Sequence, residues 1–220
     1  MSAVPPDAAF GPQDFAGTTN VSRETLARLK AYVALLGEWN ARHNLVSSRS
    51  LDDVWRRHVW DSAQLCPLIP DDTKCLIDLG SGAGFPGIVL SVMRPELRIV
   101  LTESIAKKCR FLEEIVARLG LSAEARNARM ENLPAERFDV VTARACAPLP
   151  RLLTYAQRFQ GPATTNLLLK GQSVEVELTE ARKSWRMQVL KHPSRTDPSG
   201  TILEIRELRH AGSRAGSGAD

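Results

Sequence analysis

The chain has 220 residues, of which 43% are hydrophobic and 25% are charged, and its formal net charge at pH 7 is +4. This length suits one domain with an appendage, and no apolar run approaches the ~20 residues that span a bilayer, which excludes a transmembrane helix. The first residues lack the basic and apolar segments of a signal peptide. The four cysteines stand far apart, without the spacing of a zinc site or a disulfide framework. These features favour a cytoplasmic protein with reduced thiols, and the positive charge suits an anionic partner such as nucleic acid.

The N-terminal part of the chain is predicted to be helical after a disordered leader. Residues 1–20 are rich in Pro, Gly and Ala without any period, which is typical of disorder. Apolar residues recur at helical spacing over residues 22–38, where Ser22 is a candidate N-cap, and a second helix is predicted from Leu51 to Cys66. Residues 21–70 are therefore predicted to form an N-terminal helical extension.

From about residue 71 the pattern alternates between strands and helices. Strands are predicted at "CLIDL", "RIVLTE", residues 123–128, "FDVVTA" and "TTNLLLK", with helices between the first three. "SWRMQVLK" and "TILEIREL" predict a closing antiparallel pair. Residues 71–210 are thus predicted to form an α/β domain, whose mostly parallel seven-stranded sheet is covered on both faces, and residues 211–220 a disordered tail. Ligand sites in such sheets lie at the carboxyl ends of the strands.

The turn after the first strand has a glycine pattern that is typical of nucleotide-cofactor sites. Asp78, Gly80, Gly82 and Gly84 form D-x-G-x-G-x-G, and glycines permit a tight turn and the close approach of a ligand. Glu103 ends the next strand, where a carboxylate can accept two hydrogen bonds from a ribose diol. The strand, the loop, the helix and this carboxylate together predict a nucleotide-type cofactor. The alternative is a glycine-rich turn in which Glu103 only caps the next helix.

Two cofactors fit this pattern, a dinucleotide and S-adenosylmethionine. A dinucleotide places its pyrophosphate at a helix N-terminus, whereas S-adenosylmethionine has no phosphate and has a cationic methionine end. The acidic Asp78 suits that cationic end better, although Asp is also common as a turn or capping residue. A nicotinamide-dependent oxidoreductase would also need a residue that handles hydride, and no His or Lys indicates that role. The four histidines are scattered, so we expect no metal site.

Several segments resemble one family of RNA methyltransferases. "DLGSGAGFPGIVLSVMRPE" is similar to motif I of the class I methyltransferases. The resemblance to the RsmG (GidB) family extends over about residues 20–208 and includes "WNARHNLVSSRSLDDVWRRHVWDS", "ESIAKKCRFL", "NARMENLP", "TARACAPL" and "LLLKGQ". It implies a Rossmann-like, S-adenosylmethionine-dependent enzyme that makes 7-methylguanosine in bacterial 16S ribosomal RNA, at the guanine numbered 527 in the usual scheme. It also implies 16S rRNA, the small ribosomal subunit or an assembly intermediate as the partner.

The resemblance further implies roles for individual residues. Gly80 and Phe85 would line the path of the methionine and adenosine, Glu103 would hold the ribose, and Met130 and Glu131 would flank the adenine. A longer Glu103 replaces the Asp that is frequent in the family. The resemblance assigns the catalytic end of the site to four basic residues: Arg144, Lys107, Arg129 and Lys170.

The segment "TARACAPL" after the fourth strand bears on the acceptor atom. Enzymes that methylate an N6 amine have Asn/Asp-Pro-Pro-aromatic there, and C5-cytosine enzymes have Pro-Cys. Neither motif occurs, so we interpret Cys146 as a small packed thiol. Guanine N7 has a lone pair and no proton to remove, so it needs no general base, and Arg144 could orient the guanine through O6 and N7. The alternative for Arg144 is a structural ion pair.

Basic residues are predicted to form a rim that binds RNA phosphates. They are Arg56, Arg57, His58, Lys107, Lys108, Arg110, Arg126, Arg129, Arg144, Arg151 and Lys170. Trp39, Trp55 and Trp60 are interpreted as core of the helical extension rather than as platforms for base stacking. Two other functions stay open, a nicotinamide-dependent oxidoreductase and a non-catalytic ribosome assembly factor. Nothing in the sequence indicates an obligate interface, so we expect a monomer.

Overall fold

The computed structural model describes residues 10–144 and 146–212. Ser22 is the N-cap of the second helix, as predicted, and its hydroxyl accepts a hydrogen bond from Thr25 N at 3.0 Å. None of the helices in these two ranges is long and apolar enough to cross a membrane. The N-terminal part contains α1 (Pro12–Thr19), α2 (Arg23–His43), α3 (Ser48–Asp52), a π-helical segment (Trp55–Trp60) and α4 (Asp61–Ala63).

The beginning of the chain differs from the predicted disordered leader. Residues 12–19 are helical, because Phe10 and Phe15 bury their rings against the helical region that follows. The Phe10 ring stacks on Trp60 at 4.7 Å between centroids, and the Phe15 ring lies 5.7 Å from that of Trp55. These contacts also confirm that the two tryptophans belong to the core. Residues 1–9 lie outside the described residues, as do residues 213–220 of the predicted tail.

The single helix predicted from Leu51 to Cys66 is also corrected. The chain is helical in short pieces there, and the π-helical segment inserts an extra residue per turn between α3 and α4. Arg57 and His58 of this segment border a cavity at the carboxyl ends of the parallel strands.

The remaining described chain forms a seven-stranded sheet. Its strands are β1 (Cys75–Leu79), β2 (Arg98–Glu103), β3 (Ala123–Asn127), β4 (Phe138–Arg144), β5 (Gln160–Lys170), β6 (Trp185–Pro193) and β7 (Thr201–His210). The order across the sheet is β3-β2-β1-β4-β5-β7-β6. The first five strands in this order are parallel, and β7 is antiparallel to both of its neighbours. The predicted α/β sheet with a closing antiparallel pair is confirmed.

Helices cover the sheet on both faces. They are α5 (Gly87–Met93), α6 (Ala106–Leu119), α7 (Leu149–Ala156) and α8 (Val174–Ser184). The sequence predicts α5, which ends before Arg94, and α6, which ends at the left-handed Gly120. It does not predict α7 or α8, which are short and follow β4 and β5.

Alternate residues of the buried strands face opposite sides of the sheet and supply two cores. On one side, Leu76 packs in a cluster with Phe111 of α6 and with apolar residues of α2 and α5. On the other side, Ile77 packs with Leu152 of α7 and Leu178 of α8. The N-terminal helices therefore share one core with α5 and α6, and this places α2 against the turn that follows β1.

Candidate active site

The carboxyl ends of β1, β2, β4 and β5 lie at one edge of the sheet, as the parallel register requires. This edge brings together Gly80, Glu103, Arg144 and Lys170 from distant parts of the sequence. Two cavities open there, with volumes of about 650 and about 340 Å³. We call them the larger and the smaller cavity. Gly80 lines both, so the two cavities adjoin at the turn after β1.

The glycine loop, residues 80–86, turns sharply between β1 and α5. Gly84 has φ of 102°, and a Cβ at this position would lie 2.6 Å from Ile88 Cγ1 and 2.9 Å from Tyr32 Oη. Gly84 lines neither cavity. The absence of a side chain at Gly84 thus serves close packing of the loop on α2 and α5, and its predicted contact with a cofactor stays a prediction.

Tyr32 of α2 contacts the glycine loop and holds its backbone in place. Its hydroxyl donates a hydrogen bond of 2.6 Å to the carbonyl of Ala83, and its ring lies 5.3 Å from that of Phe85. Tyr32 is fully buried, and this burial raises the pKa of its phenol well above 10, which keeps the hydroxyl a donor. The sequence gives no signal for this contact, since helical spacing marks Tyr32 only as a core residue.

Asp78 is fully buried at the end of β1 and lines neither cavity. Its Oδ2 accepts a hydrogen bond from Gly87 N at 3.1 Å, and its Oδ1 accepts one from Thr142 Oγ1 at 2.8 Å. Burial raises the pKa of this carboxyl to about 6. The predicted contact of Asp78 with the cationic end of a cofactor stays a prediction, and in this structure the side chain fixes the start of α5 to the sheet.

Glu103 lines the smaller cavity and also holds the glycine loop. Its Oε2 accepts a hydrogen bond from Gly82 N at 3.0 Å, and its Oε1 accepts one from Ile105 N at 2.7 Å. Ile105 is the N-cap residue of α6, so Glu103 has the capping role of the alternative interpretation. A carboxylate has about four acceptor positions, and these two bonds leave capacity for a ribose diol.

The segments after β3 and β4 supply the other walls of the smaller cavity. Met130 and Glu131 line it, and so do Arg129 and Cys146. A Cβ on Gly80 would lie 2.9 Å from Cys146 Cβ and 3.1 Å from Met130 Cε, so the loop packs directly on these side chains and a larger residue would overlap them. Burial raises the pKa of the Cys146 thiol to about 11, which fits a packed, protonated thiol. Arg129 lies at this cavity and does not line the larger one, where Arg144 lies.

Arg144 lines the larger cavity at the end of β4. Its Nη1 donates a hydrogen bond of 2.9 Å to the carbonyl of Arg57 and lies 3.5 Å from Asp61 Oδ2. The centre of its guanidinium group is 5.2 Å from the centroid of the Phe85 ring, within the range of a cation–π contact. Arg144 is therefore ion-paired on one side, and it still borders the cavity.

Lys170 also lines the larger cavity, but its charge is balanced within the protein. Its Nζ lies 2.6 Å from Glu177 Oε2 and donates a hydrogen bond of 3.1 Å to the carbonyl of Ala147. The Lys170 side chain is only 7% exposed. These contacts give it a firm position, and they leave its ammonium less able to attract an anion from solution.

Lys107 differs from its predicted place around the site. Its Nζ donates a hydrogen bond of 2.9 Å to the carbonyl of His43, the last residue of α2, and it lines neither cavity. Lys108 lines the larger cavity instead. Successive residues of a helix point in different directions, so Lys107 joins two helices while Lys108, which the predicted rim also includes, lines the cavity.

The predicted basic group at residues 56–58 is divided by the structure. Arg57 is exposed, whereas Arg56 is buried with its guanidinium 5.4 Å from the centre of the Phe10 ring. His58 is buried in the wall of the larger cavity and stacks on Phe85 at 4.6 Å. Neither ring nitrogen of His58 has a hydrogen-bond partner within the described part of the chain. Burial lowers the pKa of His58 to about 3, so the imidazole is neutral and does not belong to a cationic rim.

Over residues 10–144 and 146–212 no group of three or more His, Cys, Asp or Glu side chains is arranged to hold a metal ion.

The chain matches the family model GidB, described as rRNA small subunit methyltransferase G, over residues 25–201. It is 47% identical over 212 residues to the ribosomal RNA small subunit methyltransferase G of Rhodospirillum centenum, an alignment that covers 96% of this chain and 97% of the relative.

The corresponding protein of Rhodospirillum rubrum is 48% identical over 201 residues, which cover 91% of this chain and 99% of that protein. The chain belongs to the GidB family.

Solved structures agree with the fold of this GidB-family chain. An S-adenosylmethionine-dependent methyltransferase from Aquifex aeolicus aligns with a TM-score of 0.54 at 18% identity, covering 71% of this chain and 95% of that one. The Rossmann-like methyltransferase fold is confirmed, and S-adenosylmethionine is the cofactor that the family implies. The alternative of a nicotinamide-dependent oxidoreductase is therefore abandoned.

Proposed function

We propose that this GidB-family protein transfers a methyl group from S-adenosylmethionine to N7 of a guanine in 16S rRNA, the guanine numbered 527 in the usual scheme. The observation that carries the proposal is the position of Arg144. Its guanidinium is held over Phe85 in the cavity that the glycine loop also lines. An arginine donor suits the O6 edge of a guanine, and holding O6 orients the adjacent N7.

The residues of both cavities fit S-adenosylmethionine. In this proposal Glu103 accepts hydrogen bonds from the ribose, Met130 and Glu131 border the adenine, and the backbone of the glycine loop with Phe85 borders the methionine. Gly80 lines both cavities, which supports one ligand that extends along the glycine loop from one to the other. When bound, S-adenosylmethionine supplies an electrophilic methyl group on a sulfonium. Asp78 and Gly84 act indirectly, by fixing the shape of the loop.

His58 and Asp78, two ionisable groups near the larger cavity, are poorly suited to act as a general base, which supports an acceptor atom that carries no proton. A base with a pKa of about 3, as for His58, accepts protons poorly at neutral pH. Asp78 is enclosed by its hydrogen bonds to Gly87 and Thr142 and lines neither cavity. Alignment of donor and acceptor is then the main contribution of the protein, and Arg144 and Phe85 provide it on the side of the base.

A set of cations around the two cavities suits the phosphates of the RNA. Arg126 is a weaker candidate, because it pairs with Glu124 at 2.7 Å and with Glu136 at 2.8 Å. A guanine in a loop of the RNA can turn into the larger cavity more readily than one in a duplex. We further propose that the protein acts in the cytoplasm as a monomer on rRNA, the small subunit or its assembly intermediate. The cations we assign to the phosphates line the cavities: Arg57, Lys108, Arg129 and Arg151.

The proposal is tested with purified protein, tritiated S-adenosylmethionine and small ribosomal subunits from cells that lack this enzyme. We expect label at one guanine of 16S rRNA, recovered as 7-methylguanosine. Arg144→Ala should reduce transfer to a small residual rate while changing the Kd of S-adenosylmethionine by less than about threefold. Arg118→Ala, on the exposed face of α6, is the matched control.

Label on another base or atom would contradict the assignment of guanine N7. Equal loss of transfer and cofactor affinity in Arg144→Ala would place Arg144 in the cofactor site. Absence of any enzyme-dependent label would favour the third function, a non-catalytic assembly factor.

A further inference from the structure

The loop between β6 and β7, residues 194–200, forms part of the wall of the larger cavity. Ser194, Thr196, Asp197 and Pro198 line it. This loop comes after β5, the last of the parallel strands, in the chain. No part of the sequence pattern suggests that it reaches the larger cavity. The structure shows that polar contacts fasten it to α4, although some 130 residues separate the two segments.

Asp61 and Gln64 make the contacts between α4 and the loop. Thr196 Oγ1 donates a hydrogen bond of 2.8 Å to Asp61 Oδ1, and Gln64 Nε2 lies 3.1 Å from the same oxygen. Gln64 in turn accepts a hydrogen bond from Arg195 N at 2.6 Å through its Oε1. The side-chain amide of Gln64 therefore spans the gap between α4 and the loop.

The second oxygen of Asp61 faces Arg144. Its Oδ2 is 3.5 Å from Arg144 Nη1, and the two side chains are only 18% and 19% exposed. Arg144 has one further anchor on this side, the carbonyl of Arg57 in the π-helical segment. A long arginine side chain has many rotamers, so the direction of its guanidinium depends on such anchors.

We propose that Asp61 and Thr196 are positioning residues for Arg144. Thr196 holds one oxygen of the Asp61 carboxylate, and the other oxygen holds the guanidinium in the direction that faces the target base. This inference deepens the proposed function and rests on it only for the identity of the base. It makes the β6–β7 loop part of the catalytic apparatus, although none of its residues needs to touch the cofactor.

The proposal is tested by removing the side-chain hydroxyl of Thr196. Thr196→Val keeps the shape of the side chain, and Thr196→Ser restores a donor. Ser199→Ala is the matched control, because Ser199 lies in the same loop and donates to Asp197 Oδ1 at 2.7 Å rather than to Asp61. For Thr196→Val we expect kcat to fall about tenfold, the scale of one lost hydrogen bond. The Kd of S-adenosylmethionine should change little, and Thr196→Ser should recover most of kcat.

A second experiment, in a protein that already has a substitution at Arg144, distinguishes a positioning role of Thr196 from a general effect on stability. Arg144→Met removes the guanidinium and keeps a stem, and its residual transfer is measured in single turnovers with excess enzyme. If Thr196 acts through Arg144, adding Thr196→Val to Arg144→Met causes no further loss. An undiminished tenfold loss in that background would overturn the proposal, and so would an equal loss in Ser199→Ala.

One readout does not depend on the identity of the RNA. The ¹⁵Nε–H resonance of the Arg144 side chain, assigned by its loss in Arg144→Met, reports how firmly the guanidinium is held. Thr196→Val should accelerate its hydrogen exchange about tenfold, and Thr196→Ser should not. Unchanged exchange in Thr196→Val would overturn the positioning role. A response of this resonance in a protein that does not methylate rRNA would uphold the positioning role while the proposed function fails.

Discussion

The amide of Gly82 donates a hydrogen bond of 3.0 Å to the carboxylate of Glu103, which joins the glycine loop to the end of β2. The same carboxylate accepts a bond of 2.7 Å from Ile105 at the start of α6. One side chain thus fixes two of the backbone segments that surround the smaller cavity. This arrangement explains why an acidic residue here can serve the shape of the site as well as a ribose.

Glu103→Gln should weaken binding of S-adenosylmethionine by about tenfold to a hundredfold. An amide offers one acceptor oxygen where the carboxylate offers two, so either Gly82 or Ile105 loses a charge-assisted partner. Isothermal titration with S-adenosylmethionine measures the effect. Glu38→Gln, which makes the same charge change on the exposed face of α2, is the control. A Kd within twofold of the original would show that Glu103 does not support the cofactor site.

Gly84→Ala should lower the free energy of unfolding by about 3 kcal/mol. The φ of 102° disfavours a Cβ, and the added methyl group would overlap Ile88 and Tyr32. Urea denaturation gives the value. Gly37→Ala provides the comparison, because Gly37 lies inside α2 with nothing within 4 Å of a new Cβ, and it should gain about 0.5–1 kcal/mol. Equal effects of the two changes would contradict this account of the loop.

The stability of the protein should depend on pH through His58. The folded imidazole has a pKa of about 3 and the unfolded one about 6.5, so between these values the unfolded state binds the additional proton. The contribution of His58 to stability is therefore complete above pH 6.5 and is lost as the pH falls toward 3, at up to about 1.4 kcal/mol per pH unit.

His58→Phe, which keeps a ring against Phe85, should remove this slope. Urea denaturation at pH 5, 6 and 7 compares the variant with the original protein. The variant must be compared with the original protein because the titration of Asp78 changes the stability with pH in the opposite direction. Its folded pKa of about 6 exceeds the unfolded 3.8, so its contribution is complete below 3.8 and is lost as the pH rises through 6. Parallel slopes in the two proteins would mean that His58 is not held neutral.

Lys107→Ala and Lys108→Ala should have different effects. Lys108 borders the larger cavity, so its loss should weaken rRNA binding and reduce the slope of log K against log salt by about 1. Lys107 joins α6 to the end of α2, so its loss should lower the free energy of unfolding by about 1 kcal/mol. Filter binding over a salt series and urea denaturation measure the two effects. The reverse pattern would restore Lys107 to the RNA-binding surface.

The parts of the fold that local patterns specify could be predicted from the sequence. β1, the glycine loop, α5, β2 and α6 follow one another with clear apolar periods and end signals. The order of the strands and the place of Glu103 at a strand end follow from the general architecture of parallel sheets. α7 has a clear apolar face but only eight residues, and α8 is rich in charged residues, so neither gives a long periodic pattern that predicts a helix.

The site contacts that prediction missed join residues that are far apart in sequence. Tyr32 meets Ala83, and Asp61 meets Thr196, and no local pattern encodes either pair. His58 is missed for another reason, because its neutral state depends on burial that only the folded chain provides. Asp78 has a residue type that suits two roles, and its hydrogen bonds to Gly87 and Thr142 decide between them.

The stacking of Phe10 on Trp60 and the contact of Phe15 with Trp55 have a practical consequence for anyone who handles this protein. The two tryptophans begin and end the π-helical segment that supplies the Arg57 carbonyl to Arg144. A protease cut or an affinity tag placed near residues 10–19 therefore disturbs the segment that anchors Arg144 at the larger cavity. A protein shortened to begin at α2 for crystal growth would lose these aromatic contacts. The loss would weaken the structure next to the cavity where an RNA substrate is expected to enter.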